Sequence, residues 1–368
     1  MPSEGNILLE DAPVELELTS RSEDKGSSSG LSYPPTRKEV ITHPALQRFR
    51  RIKKVNLVNA LTPVELCDRL GKAIAGAPNI YIKRDDCLGY LVGGNKLRKC
   101  EYLMTDVLRK KATTVITIGS VESNHARVLA MTARRLGLNC VLVLNGKIPN
   151  RPSGNIHINR LLGVKVYLVE TRRQRDAMMN EIAEDLERKG EKVYRVPLGV
   201  SDEIGSFGLV AAFEEVCRQQ RAMGIRFDAI IFASSSGGTQ AGLEVGKRLF
   251  NQDDLQIIGI SPDDPSKVIR NNVLRAMRAM LARLGMDQEV DQGELCIDDR
   301  YVGRGYGIQT EGSAEAACLF SRTEGILLDP VYTSKAAAAL IDYCRAKKFQ
   351  PTDRVLFWHT GGLLALFR

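Results

Sequence analysis

Six short segments of the chain hold residue types that can do chemistry, each among small or turn-forming neighbours. Lys96 closes the run Gly93-Gly94-Asn95-Lys96 and opens a helical stretch containing Arg98 and Lys99. Glycines let the backbone approach a ligand. A lysine kept out of water near other cations loses its proton more easily and can then form a Schiff base with an aldehyde. The plain alternative is a solvated surface amine, the state of most lysines. Ser234-Ser235-Ser236-Gly237-Gly238-Thr239-Gln240 follows a strand pattern and opens a helix. Small residues, hydroxyl donors and the positive end of a helix make this a phosphate cradle by its physics. It has neither the lysine of a P-loop nor the GxGxxG spacing, and a loop that only caps its helix reads the same way.

Ser123-Asn124-His125 follows another strand pattern and precedes a helix. Ser123 or Asn124 can cap that helix. The functional reading is a carboxylate site made of a helix N-terminus and side-chain donors. No serine-hydrolase arrangement surrounds this serine, and a lone histidine such as His125 is more often structural. Towards the C-terminus, Gly305-Tyr306-Gly307, Asp329-Pro330-Val331-Tyr332-Thr333 and His359-Thr360-Gly361-Gly362 each place a hydroxyl or imidazole in a turn.

The elements that must position these segments alternate. Strand patterns fall at residues 79–83, 114–118, 140–144, 164–169, 229–232, 256–260 and 355–358. Helical patterns fall at 99–110, 126–136, 177–189, 213–223, 242–250 and 335–346. Apolar strands alternating with helices predict an α/β fold, a doubly wound parallel sheet covered on both faces. Ligands of such folds sit at the carboxyl ends of the strands. Residues 1–40, with the Ser/Gly-rich stretch 22–30 and Pro34-Pro35, read as a disordered or extended tail, with ordered structure starting near Pro44.

Composition narrows the classes. At 368 residues, 43% hydrophobic and 26% charged, the chain has the balance of a globular protein with a sizeable core. No run is long and apolar enough for a membrane span, and the acidic N-terminus does not resemble a transit peptide, so a cytoplasmic location is expected. The net charge of +8 fits a basic surface or attraction of anionic ligands. No nucleic-acid motif accompanies the basic cluster Arg48–Lys54, so neither nucleic acid nor membrane is an expected partner. The eight cysteines are scattered with no CxxC pair, which suggests no metal site.

In their order along the chain these segments resemble the pyridoxal 5′-phosphate (PLP) enzymes that include 1-aminocyclopropane-1-carboxylate (ACC) deaminase and D-cysteine desulfhydrase. This is the tryptophan-synthase-β-like, fold type II group. The carriers are IYIKRDDCLGYLVGGNKLRKCEYL, ESNHARVLAMTARRLGL, PLGVSDEIGSFGL, SSSGGTQAGL, GRGYGIQTEG, TEGILLDPVYTSKA and VLFWHTGGLLALF, from about residue 45 to the C-terminus. The resemblance implies two doubly wound open-sheet domains: a large PLP-binding domain over 41–98 and 208–368, and a small domain over 99–207. It implies Lys96 as the Schiff-base lysine and Asn95 as hydrogen-bonding the cofactor's phenolic oxygen. Ser236, Gly237, Gly238 and Thr239 would hold the phosphate, and Thr333 would face the pyridine nitrogen. Ser123, Asn124 and His125 would face an amino-acid substrate, and Tyr306 and Tyr332 would be the active-site tyrosines. A homodimer is the family's expectation.

Departures from the pattern refine the expectation. Thr333 stands where ACC deaminases have glutamate, as in D-cysteine desulfhydrases. A neutral hydroxyl at the pyridine nitrogen makes a weaker electron sink, suited to expelling a β-substituent. The expected activity is therefore α-proton abstraction and β-elimination, D-cysteine to pyruvate, sulfide and ammonia or a related reaction. ACC deamination, a specialised biosynthetic PLP reaction on another amino acid, and PLP binding without turnover are the alternatives. Ser235 and Ser334 replace glycines of the pattern. Glu122 replaces a glutamine and would either repel an ordinary carboxylate substrate or recognise a cationic one.

Overall fold

The computed structural model describes residues 44–58, 60–89, 92–147, 154–286 and 289–367. The expected tail over 1–40 lies outside the described residues. The strands are β1 (Val64–Leu66), β2 (Asn79–Arg84), β3 (Thr114–Ser120), β4 (Asn139–Asn145), β5 (Lys165–Val169), β6 (Val193–Val196), β7 (Ala229–Ala233), β8 (Gln256–Ile260), β9 (Cys296–Asp298) and β10 (Arg354–His359). The α-helices are α1 (Pro44–Arg51), α2 (Asp68–Ala73), α3 (Gly94–Arg109), α4 (Asn124–Arg135), α5 (Gly154–Leu161), α6 (Arg175–Arg188), α7 (Glu203–Met223), α8 (Gly238–Leu249), α9 (Ser266–Leu284), α10 (Glu311–Glu324) and α11 (Thr333–Arg345).

They build two open sheets. One has the order β5-β4-β3-β6 and is parallel throughout. The other has the order β1-β2-β10-β7-β8-β9, parallel except where β1 runs against β2. Central strands are apolar on both faces because helices cover both, and residue parity decides which helices each side chain meets. Ile231 and Phe357 pack with Phe320 of α10 and Leu340 of α11. Their neighbours Ile230, Phe232, Leu356 and Trp358 face Leu209 and Phe213 of α7 and Leu243 of α8. The smaller sheet repeats the scheme: Val115 and Leu142 join the core with α3 and α4 residues, while Ile116 and Val143 face Ile182 and Leu186 of α6.

All seven strands expected from the sequence are present within a residue or two of their expected bounds. The expected helices exist but mostly start earlier. The helix at 242–250 begins at Gly238 and the one at 99–110 at Gly94, because their first turns are made of polar and glycine residues that show no apolar period. The helix at 213–223 begins at Glu203. Its early turns hold Gly205, Ser206 and Gly208, weak helix formers. Packing outweighs propensity there: a side chain at residue 208 would meet the Arg98 carbonyl at 2.1 Å, so only glycine lets α7 lie so close to α3. Helix α9 was not expected, although Ile269, Val273, Met277, Met280 and Leu284 form its buried stripe. Its many arginines lie between those positions.

A buried polar network fixes α3 against the larger sheet. The Arg98 guanidinium binds Asp85 at 2.8 Å and Glu215 of α7 at 2.9 Å. Glu215 also accepts from Lys83 of β2 at 2.5 Å, and Asp85 accepts from the Trp358 indole at 2.9 Å. Buried charges persist only where each is matched, and here two cations meet two anions. Burial alone would raise the pKa of both carboxyls, but Arg98 and Lys83 outweigh it and hold them below their ordinary values.

Candidate active site

One cavity of about 290 Å³ opens where the carboxyl ends of parallel strands from both sheets meet. Ser120 ends β3 and Asn145 ends β4, while Ala233 ends β7 and Thr360 follows β10; all four line it. So do Asn95, Lys96, Ser123, Asn124, His125, Ser236, Gly237, Thr239, Tyr306 and Tyr332. Thus ten residues from five separate segments of the chain share one cavity. Gly238 and Thr333 are not among the lining residues.

Lys96 lies in the first turn of α3. Gly94 begins that turn with φ +56°, and a side chain on it would strike the Thr360 carbonyl at 2.2 Å. Glycine thus seats the lysine turn directly on the loop after β10, where the Asn95 amide donates to the Thr360 carbonyl at 3.1 Å. Burial lowers the Lys96 ammonium to about 8. Loss of water is the cause, rather than the neighbouring cations expected from the sequence, and Cys100 and Asp263 act in the opposite direction. An amine near 8 is partly neutral at physiological pH and is therefore a usable nucleophile or base.

The loop from β7 into α8 makes the cradle. Gly237 caps the helix in the left-handed region at φ +86°, turning backbone donors of the first turn towards the cavity. Ser236 Oγ pairs with Ser201 Oγ at 2.7 Å, and Ser201 accepts from Lys99 Nζ at 2.9 Å. Lys99 is fully buried beneath this loop. Burial and the charge of Lys96 push its ammonium well below the ordinary lysine value. An anion in the cradle would restore the favourable state of that cation. Lys99 was read only as a neighbour of Lys96, and its one-turn spacing from Lys96 is the signal that would have placed it here. Ser235 also lines the cavity, and its hydroxyl donates to Asp263 at 3.0 Å.

Ser123 caps α4, accepting from the Ala126 amide at 3.3 Å, so the capping reading holds. The same hydroxyl lies 2.7 Å from His125 Nδ1, and Thr117 Oγ1 is 3.4 Å from Nε2. Burial first, then the Lys96 charge, drives His125 down to about 3, so its imidazole is neutral. Asn124 Oδ1 accepts from Asn155 at 3.0 Å, which fixes the amide's orientation.

Across the cavity the hydroxyls of Tyr306 and Tyr332 are 2.6 Å apart, and Ser120 Oγ donates to Tyr306 at 3.2 Å. Burial raises both phenols above their ordinary pKa, so they are neutral acids rather than bases near pH 7. Lys335 positions their loops: its buried ammonium donates to the carbonyls of Pro262, Val302 and Gly305 at 2.8–2.9 Å. Asp329 organises the turn before Tyr332, accepting from the Tyr332 amide at 2.8 Å and the Thr333 hydroxyl at 2.6 Å. Thr333 is buried with its hydroxyl engaged by that carboxylate. Glu122 does not line the cavity; its carbonyl accepts from Asn155, and its charge helps raise the Tyr306 pKa.

Arg172, Arg175, Asn145 and Asp263 also line the cavity and were missed in the sequence. All four end or follow strands β4, β5 and β8, so the strand-end rule applied to every strand would have found them.

The residues present suit a phosphorylated aldehyde. A partly neutral lysine faces the cavity, backbone donors with a buried lysine beneath them await an anion, and neutral hydroxyls line the opposite wall.

Comparison with known proteins agrees. The family of pyridoxal-phosphate dependent enzymes matches residues 55–361. An ACC deaminase of Burkholderia multivorans is 36% identical over 335 residues, covering 87% of this chain and 96% of the relative. A D-cysteine desulfhydrase of Yersinia pestis is also 36% identical, over 326 residues, with 87% and 97% covered. A crystal structure of an ACC deaminase homologue superposes with a TM-score of 0.81 at 35% identity, covering 88% of this chain and 96% of that one.

Proposed function

This chain belongs to the pyridoxal-phosphate dependent enzyme family, with PLP as its cofactor, and on that premise we propose that it is a lyase expelling a β-substituent from a small amino acid, D-cysteine or a related compound. The observation that carries the reading is the meeting of Lys96, the cradle and the Tyr306–Tyr332 pair in one cavity. When bound, PLP supplies an aldehyde that couples amines and a conjugated ring that takes up charge from a breaking bond at the amino-acid α-carbon.

The protein's own groups divide the remaining work. Ser236, Gly237, Gly238 and Thr239 would hold the phosphate, with Lys99 beneath. Asn95 would contact the ring oxygen, and Thr333 would stand at the ring nitrogen as a neutral group. Lys96 Nζ would hold the cofactor through its amine and, once displaced by substrate, take the α-proton. The helix end at Ser123, with Asn124 and His125, would receive the α-carboxylate. Tyr306 or Tyr332, neutral at working pH, would give a proton to the departing group. Starting from D-cysteine and water, the products are pyruvate, hydrogen sulfide and ammonia.

Relatives of equal identity bear two activities, so ACC deamination is the second reading. The close tyrosine pair beside Ser120 favours it, since proton transfers from neutral acids assist ring opening. The division into domains at 99 and 207 and a homodimeric state belong to the same proposal; sedimentation tests the latter. Among the described residues no helix is long and apolar enough to cross a membrane. The deciding experiment is a screen of the purified holoenzyme against β-substituted D- and L-amino acids and ACC, following cofactor absorbance and keto-acid release. Pyruvate with sulfide from D-cysteine supports the first reading. 2-Oxobutyrate from ACC establishes the second. A coloured protein inert to the whole panel removes both.

A further inference from the structure

The cavity has a second cationic end, away from the phosphate cradle. Arg175, the first residue of α6, lines it and is only 7% exposed. Its Nε donates to the Arg172 carbonyl at 3.2 Å and its Nη1 to Asn145 Oδ1 at 3.3 Å. Both acceptors are neutral, and among the described residues no carboxylate ion-pairs with Arg175. Arg172, half-exposed at the mouth, is occupied by Asp264 at 3.1 Å and Asp263 at 3.4 Å. These ion pairs join the loop after β5 to the loop after β8. A guanidinium withdrawn from water without a carboxylate is costly, and it is retained where an incoming anion completes the pair.

Two uses of Arg175 within the reaction already described are disfavoured by position. The cofactor phosphate has its cradle on the larger sheet, where Lys99 is the nearby buried cation. The α-carboxylate has the N-terminus of α4. The charge of Arg175 is instead felt by His125 and by the Tyr306 phenol, which places it beside the substrate-facing wall.

We infer that the substrate is an α-amino acid carrying a second anionic group on its side chain, received by Arg175 and Asn145 with Arg172 at the mouth. The inference rests on the lyase reading and names its substrate class. Where the anionic group is also the leaving group, the Cα–H bond breaks with its proton passing to Lys96 Nζ, its electron pair forms the carbon–carbon double bond, and the Cβ–X pair departs with X. The enamine released then takes up water to give pyruvate and ammonia. Arg175 holds the charge that gathers on X, an interaction that strengthens as the bond breaks.

The test uses holoenzyme and both enantiomers of each probe. Aspartate, O-phosphoserine and O-sulfoserine distinguish carboxylate, phosphate and sulfate. Alanine, serine and β-chloroalanine are the neutral set. Half-saturation of the cofactor absorbance change is expected at least tenfold lower for one of the anionic probes. R175Q should cut the anionic-over-neutral ratio by about 10- to 100-fold, the loss of a charge-assisted hydrogen bond, and R175K should recover part of it. A merely structural role weakens both classes and leaves the ratio where it was. Equal or better saturation by neutral probes in the wild type, or an unchanged ratio in R175Q, overturns the inference. Keto acid from β-chloroalanine with no anionic preference sinks this inference alone. An anionic preference with no keto acid from any probe sinks the lyase reading alone.

Discussion

The Asn95 side-chain amide donates to Thr239 Oγ1 at 2.9 Å, across 144 residues of sequence. The bond joins the residue before the lysine to the first turn of the cradle helix, so the two halves of the cofactor site share one hydrogen bond. Replacing Asn95 with alanine removes one neutral bond, worth about 0.5–1.5 kcal/mol, and any contact Asn95 makes to the ring. PLP titrated onto the apo-protein should bind roughly three- to tenfold more weakly. Unchanged affinity would mean that the two elements hold their positions independently.

Burial of Lys96 fixes a pH dependence. Its amine, at about 8, is protonated and unreactive below that pH and neutral above it. The rate at which apo-protein captures the cofactor aldehyde should therefore rise about tenfold per pH unit below 8 and level off above it. An ordinary surface lysine would keep gaining rate to about pH 10. Stopped-flow absorbance at constant ionic strength separates the two profiles.

The tyrosine pair predicts a loss confined to proton transfer. Tyr306→Phe removes the hydroxyl linking Ser120 to Tyr332 but keeps the ring, whose centroid lies 5.8 Å from its partner's. Turnover of the substrate found in the screen should fall about 10²- to 10⁴-fold, with little change in the cofactor spectrum. A kcat within threefold of wild type would remove Tyr306 from the chemistry.

The network beneath α3 makes a stability prediction. Glu215→Ala leaves Lys83 and part of Arg98 buried without their anion. Removing one partner of such a set costs about 3–5 kcal/mol, which urea unfolding reads directly. A loss under 1 kcal/mol would show that water or local rearrangement replaces the carboxylate.

Much of this arrangement is legible in the sequence, and the gaps have physical causes. Strands such as 229–233 announce themselves because both faces are buried and the apolar run is unbroken. Lys96, Ser123 and Thr239 were found because glycine and hydroxyl residues stand at helix starts, where backbone donors are free. Arg175 was missed because the loop after β5 carries no glycine or hydroxyl cluster, and only the strand-end rule points to it. Lys335 was missed for a related reason: it reads as one residue of an alanine-rich helix, and its three carbonyl partners come from two distant loops. Thr333 was assigned from resemblance, and only the folded turn shows its hydroxyl donating a hydrogen bond to Asp329.

The central claim is that Lys96 is the residue to which the cofactor is joined. Lys96→Ala, purified and supplied with excess PLP, tests it by borohydride reduction followed by peptide mass mapping. The account predicts that wild type acquires the reduced phosphopyridoxyl group on the peptide containing Lys96. The variant should take up none, lack the visible band of the lysine-bound cofactor, and lose turnover. Labelling of another lysine in wild type, or full turnover by the variant, would contradict the account.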